Sequence, residues 1–213
     1  TVDFDPDNTH ENDVDIKTST GIDDTFIAKY DPTGMLQWVR VFTGDSQSTS
    51  IGLDVGTDGS VYGIGRFYGT VDFDPDNDTP GDTHTSEGSI DIFLVKLDHT
   101  GQYLWSKAVG GVGADYGTIV SLDNNNNAYI VGTFQNTVDF DPDNTHENDV
   151  DIKTSRGDFD NYLALYSSDG EFQWVKSFGS TGYDASYGVD VSTGGDVYVS
   201  GFFEGTVDFD QEN

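Results

Sequence analysis

The residues best placed to do chemistry lie in a recurring acidic string, Val-Asp-Phe-Asp-Pro-Asp-Asn. It carries Asp3, Asp5 and Asp7 in its first copy, Asp72, Asp74 and Asp76 in its second, and Asp139, Asp141 and Asp143 in its third. A fourth copy begins with Asp208 and Asp210. Asp at i, i+2 and i+4 matches the opening of calcium-binding loops, where a turning backbone converges several carboxylates on one ion. Asn8, Asn77 and Asn144 stand where such loops place Gly, and Asn tolerates a left-handed turn better than most residues. Ten residues after the first Asp comes a further acid: Asp13, Asp82 and Asp149. Hard oxygen donors without any Cys favour calcium over transition metals. The closing bidentate Glu and flanking helices of an EF-hand are both missing. A second reading gives the same string a packing role. Val2-Phe4, Val71-Phe73 and Val138-Phe140 would bury the end of an edge strand while the Asp side chains face water and blunt that edge.

Other candidate groups are weaker. His10 and His146 lie beside Glu11 and Glu147, but the second copy has Thr79-Pro80-Gly81 there, and His84 and His99 have no counterparts. All four histidines read as solvent-exposed. Trp38, Trp105 and Trp174 hold one fixed place in an alternating strand, which argues for core packing over sugar stacking. Asp24, Asp91 and Asp160 read as caps of turns at strand starts. No Gly-x-Ser-x-Gly elbow and no ordered Ser, His and Asp set is visible, so no catalytic residue is assigned.

These groups are positioned by a repeat. Thr-Val-Asp-Phe-Asp starts at Thr1, Thr70, Thr137 and Thr206, spacings of 69, 67 and 69. In every copy the Asp anchor precedes Trp by 14 residues, and Trp precedes Tyr62, Tyr129 or Tyr198 by 24. The repeats span 1–69, 70–136 and 137–205, with 206–213 opening a fourth. Each divides into an Asp-rich insert (1–23, 70–90, 137–159) and a rigid body of 46 residues (24–69, 91–136, 160–205). Inserts and anchors hold 26 of the 39 acids in 78 of 213 positions, so the charge is concentrated there. Residues 1–19 and 137–155 are identical at 19 of 19 positions, whereas the bodies 24–69 and 160–205 match at 19 of 46. The insert is under tighter demand than the body or was copied separately.

Within the bodies the apolar period is two. Segments such as TFIAKYD, MLQWVRVF, IGLDV and VYGIGRFYG are separated by DPTG, TDGS and similar turns. No window sustains a helical pattern. Four short strands in this length make one propeller blade, whose apolar faces must be covered by neighbours. The predicted fold is all-β: three tandem four-stranded antiparallel propeller-type blades in an open array, since a closed ring usually takes at least four.

The pieces DDTFIAKYDPTGMLQW, GADYGTIVSLDNNNNAYIVG and GYDASYGVDVSTGGDVYVSG resemble the bacterial seven-bladed β-propeller repeat family. The resemblance covers all three bodies. It implies four-stranded antiparallel blades, an extracellular or surface-exposed protein, and no catalytic residues. The long acidic insert and the count of three depart from the family pattern.

Composition narrows the functions further. Nine basic against 39 acidic residues give a net charge of −30, which excludes nucleic acid and anionic membrane surfaces as partners. No apolar run reaches the ~20 residues of a membrane helix. Aromatics at 13% separate the chain from disordered acidic tails. The expected function is a non-enzymatic, calcium-stabilised structural repeat at the cell surface, forming a fibre or adhesive stalk. Its expected partner is itself, as head-to-tail copies or as adjacent repeats of a longer chain. The alternative is a glycan-binding (lectin-like) or protein-binding propeller module.

Overall fold

The computed structural model describes residues 1–5, 16–45, 47–77, 81–142 and 151–210. The period-two pattern becomes strand throughout, and the described residues contain no helix. The first repeat carries a short hairpin, β1 (Val2–Asp3) and β2 (Ile16–Lys17). It continues with β3 (Thr25–Tyr30), β4 (Leu36–Gly44), β5 (Gln47–Val55) and β6 (Val61–Tyr68). The second repeat gives the hairpin β7 (Thr70–Asp72) and β8 (Thr83–Thr85), then β9 (Asp91–Leu97), β10 (Tyr103–Gly111), β11 (Tyr116–Leu122) and β12 (Ala128–Phe134). The third gives β13 (Thr137–Asp139) and β14 (Ile152–Thr154), then β15 (Asp160–Tyr166), β16 (Phe172–Phe178), β17 (Ala185–Val191) and β18 (Val197–Phe202).

The sheets are phased half a repeat away from the sequence period. β5 and β6 of the first repeat join β9 and β10 of the second, and β13 and β14 of the third complete the order β14-β13-β10-β9-β6-β5. β11 and β12 likewise join β15 and β16, while β3 and β4 carry β7 and β8. β17 and β18 form a two-stranded sheet. All these pairings are antiparallel, and β6 meets β9 in continuous register from Val61↔Leu97 to Phe67↔Asp91. β12 meets β15 in the same way, from Ala128↔Tyr166 to Phe134↔Asp160. Each repeat therefore ends one sheet and begins the next, so the chain itself staples neighbouring blades together. The four-stranded antiparallel, open arrangement expected from the sequence is present.

Two apolar cores fill the spaces between sheets. One joins Ile27 and Phe42 to Val61, Phe67, Phe93, Val95 and Leu97. The other joins Tyr62, Ile64 and Leu94 to Ile130, Phe134, Tyr162 and Tyr166. The tryptophans sit at these seams and are half-buried, not central in a core. Trp38 Nε1 donates to the carbonyl of His99 at 3.3 Å, and Trp105 Nε1 to that of Ser168 at 3.2 Å. Each indole lies on the turn glycine of the next repeat. A Cβ on Gly101 would come within 2.6 Å of Trp38, and one on Gly170 within 3.0 Å of Trp105. Both glycines also need positive φ, +81° and +84°, a region costly for residues with a Cβ.

Gly34 holds the same turn position at φ +87°, with nothing within 4 Å of its Cβ site. Gly34→Ala therefore tests backbone strain alone and should cost about 1–2 kcal/mol. Gly101→Ala adds the collision with Trp38 and should cost clearly more in chemical denaturation. Equal losses at the two positions would remove the Trp–Gly contact from the account of blade joining.

Candidate functional site

The acidic string forms the first strand of each insert hairpin and the turn that follows it. β7 pairs with β8 through Thr70↔Thr85, Val71↔His84 and Asp72↔Thr83, and with β4 through Thr43↔Asp72 and Gly44↔Val71. β13 repeats this against β14 and β10. Alternation sends Val and Phe inward: Val71, Phe73, Val138 and Phe140 are each at most 1% exposed.

The motif phenylalanine lies where three strands meet. Phe73 contacts Phe42 of β4 at 5.2 Å between ring centroids, Phe67 of β6 at 6.3 Å and Phe93 of β9 at 5.2 Å. Phe140 contacts Phe134 of β12 at 5.7 Å and Tyr162 of β15 at 5.0 Å. Its carbonyl accepts a 2.6 Å bond from the Tyr166 hydroxyl, and Tyr30 does the same for Phe4 at 3.1 Å. The packing role expected as a second reading of the string is thus present for Val and Phe of the second and third copies, whereas Val2 is exposed and Asp5 and Asp141 are buried instead of facing water.

The first Asp of each string makes one local bond, identical in all four copies. Asp3 Oδ1 accepts from the Asp5 amide at 3.0 Å, and Asp72 Oδ1 from the Asp74 amide at 2.9 Å. Asp139 Oδ1 accepts from the Asp141 amide at 2.9 Å, and Asp208 Oδ1 from the Asp210 amide at 3.0 Å. This is an Asx turn that bends the chain out of the strand. Asp5 and Asp141 are buried, Asp72, Asp74 and Asp139 half-buried, Asp76 and Asp210 exposed, and Asp82 buried. Asp7, Asp13, Asp143 and Asp149 lie outside the described residues, as do His10 and His146. Among the described residues no three Asp, Glu or His side chains form a metal-sized group.

A second acidic feature was not recognised from the sequence. Asp115 and Asp184 are fully buried and stand 24 residues past Asp91 and Asp160, which was the available signal. Asp115 accepts from the amides of Gly111 at 2.9 Å and Gln135 at 3.0 Å. Asp184 accepts from Ser180 at 2.6 Å and Glu204 at 2.9 Å. Ser48 takes this place in the first repeat and accepts from the Thr25 amide at 3.1 Å. The Asp115 amide reaches the Ile90 carbonyl at 2.7 Å, and the Asp184 amide the Phe159 carbonyl at 3.0 Å. These ties fasten the start of one sheet's strand to the next sheet within a single repeat.

The Asp anchors do cap turns as expected, and two of them are buried as well. Asp24 Oδ2 and Asp91 Oδ2 each accept an amide four residues upstream, from Thr20 and Glu87, at 2.8 Å. Asp91 and Asp160 are 2% exposed, and their Oδ1 atoms have no hydrogen-bond partner. Burial pushes Asp91 up to about 6, against opposing amide bonds. Burial pushes Asp115 up to about 7, with the charge of Asp91 adding to it. Asp160 is raised by burial too, and by the charge of Asp184. His84 is half-buried, against the exposed reading. Its Nε2 lies 2.8 Å from Ser106 Oγ, which is 2.9 Å from the Tyr103 hydroxyl.

An open stack of propeller-type blades, joined by strand exchange between successive repeats, is the class this geometry defines. No family model matches the chain. Over 151 residues, 70% of its length, it is 32% identical to an uncharacterized WD repeat-containing protein of Acanthamoeba polyphaga mimivirus. The chain spans 11% of that relative's length. Similarity and blades together point to a β-propeller-type repeat family.

Two outcomes test this description. Phe73→Ala should lose about 3–5 kcal/mol, the usual cost of emptying a buried aromatic site. Phe209→Ala, at a position 64% exposed, should change stability little; similar losses at both sites would sink the role given to the motif ring. For Asp91, a folded value near 6 against an unfolded one near 3.9 means the folded state holds a proton that the unfolded chain releases. Its contribution therefore favours folding increasingly as pH falls from about 6 to about 4. Asp91→Asn should gain on the parent protein at pH 8 relative to pH 5, read from denaturation midpoints. A gap that does not change with pH overturns the assignment.

Proposed function

We propose that the chain is a non-enzymatic structural repeat module, a propeller-type interaction scaffold whose blades stack end to end into a fibre or stalk. The finer resemblance to the bacterial seven-bladed repeat family belongs to this proposal, with an extracellular or cell-surface setting. So does calcium, held by the Asp residues of the inserts. The carrying observation is the joining of successive repeats by strand pairing, β6 with β9 and β12 with β15. Tyr62 and Tyr129 are 0% and 9% exposed at these joints. Repeat arrays need their terminal faces capped or continued, because each unit leaves apolar surface for a neighbour. The relative's printed description as a WD repeat-containing protein supports an interaction module in the same sense.

Calcium would offset carboxylate repulsion in the inserts and, by binding the folded form preferentially, raise its stability. The test combines sedimentation velocity over a wide concentration range with calorimetry and thermal melts, in calcium and in chelator. Concentration-dependent association, with a higher melting temperature in calcium that is reduced in Asp74→Asn/Asp76→Asn, is expected. A monomer at all concentrations removes the stacking role. An unchanged melt without heat of binding removes calcium.

A further inference from the structure

We infer that the second repeat carries a binding site for a neutral saccharide, in the cleft between the hairpin β7–β8, strand β10 and the turn after β13. The site goes beyond the stacking role and does not depend on it. A polar trio that the other two repeats lack is the observation behind it. His84 faces the motif valine across its hairpin, where the first and third repeats place Lys17 and Lys153. Tyr103 stands where those repeats have Leu36 and Phe172, and Ser106 where they have Val39 and Val175. These four apolar residues are at most 4% exposed, so the same place is core in the first and third repeats.

Ser106 is itself 6% exposed, so the exchange puts polar atoms inside the blade and not on its surface. Its Oγ lies 2.8 Å from His84 Nε2 and 2.9 Å from the Tyr103 hydroxyl, which donates to the Gly81 carbonyl at 3.3 Å. Such bonds do little more than offset the desolvation of the groups that make them. An apolar pair fills the place in both sibling repeats. A departure of this kind from a repeat's own packing pattern marks a functional site.

The trio borders an open cleft of about 610 Å³, within the ~300–1,000 Å³ of small-molecule sites. Glu87, Asp91 and Asp139 line it too. Asp91 is 2% exposed, and its Oδ1 has no hydrogen-bond partner. A Cβ on Gly110, which also lines the cleft, would come within 2.6 Å of that oxygen. Asp24 and Asp160 leave the same oxygen unpartnered, so it is the trio beside it that distinguishes the second repeat.

The ligand class follows from these donors and acceptors. Carboxylates only accept hydrogen bonds, whereas hydroxyls both donate and accept. Adjacent hydroxyls of a sugar ring supply donors to the acids and either role to Ser106 and Tyr103, without bringing a charge. Tyr103 and Trp105 add aromatic surface for the C–H face of the ring. Phosphate and carboxylate ligands are opposed by three acids in a chain of net charge −30.

The whole chain is tested on an array of neutral and acidic oligosaccharides, and by calorimetry with maltotriose, cellotriose and chitotriose. Binding of a neutral saccharide is expected. Tyr103→Phe/Ser106→Val, which installs the third repeat's residues, should weaken it at least tenfold while the melting temperature holds or rises. Glu87→Gln, at an exposed position, should weaken it severalfold with the melt unchanged, and it keeps the test decisive if the double variant does not fold. Silence on the array and in calorimetry overturns the site. Saccharide binding that both variants retain overturns this cleft as its location. A preference for sialylated or sulfated glycans overturns the neutral class.

Discussion

The ring of the motif phenylalanine is the contact on which the rest depends. Phe73 belongs to the second repeat by sequence, yet it touches β4 and β6 of the first as well as β9 of its own. A single buried side chain therefore closes the corner between two sheets and seats the insert hairpin on the edge of a third strand. Burial of one aromatic ring removes roughly 150–250 Å² from water. That gain orders a hairpin too short and too acidic to stand by itself. Phe4 and Phe209 show what happens without the full set of neighbours. Phe4 keeps one aromatic partner, Phe26 at 4.8 Å, and Phe209 stays 64% exposed.

Because each repeat is divided between two sheets, the stability of one repeat depends on its neighbours. A blade cannot be completed by its own repeat: β6 needs β9, β12 needs β15, and β4 and β10 need the following inserts. Every inner joint is thus a strand pairing, an apolar seam and a Trp–Gly contact at once.

The acidic residues divide by depth. The first Asp of each string sits at a turn, where one oxygen accepts a local amide, while Asp5 and Asp141 are buried. Asp115 and Asp184 are enclosed and each accepts a pair of backbone amides, yet burial still raises the proton affinity of Asp115. Burial raises Asp91 as well, and one of its oxygens is without a hydrogen-bond partner. Placing two buried carboxyls near one seam is costly for a chain already at −30. Their recurrence in two repeats is matched by the ties they make across sheets.

The sequence alone determined the repeat period, the strand character and the alternation that sends Val and Phe of the second and third strings inward. These follow from local spacing, because a strand's faces alternate residue by residue. The turn glycines were also legible, since their conformation is set within four residues. The tertiary structure alone decided which strands share a sheet. The repeat has no internal mark for a boundary, and hydrogen bonding of β6 to the next repeat's β9 is a long-range choice. It also decided that Trp38 and Trp105 lie in the seams, because their partners, the turns ending at Gly101 and Gly170, lie in the following repeat. The buried Asp115 and Asp184 stayed hidden for the same reason. A carboxylate's burial depends on the amides that the fold brings to it, here from segments four and twenty residues away.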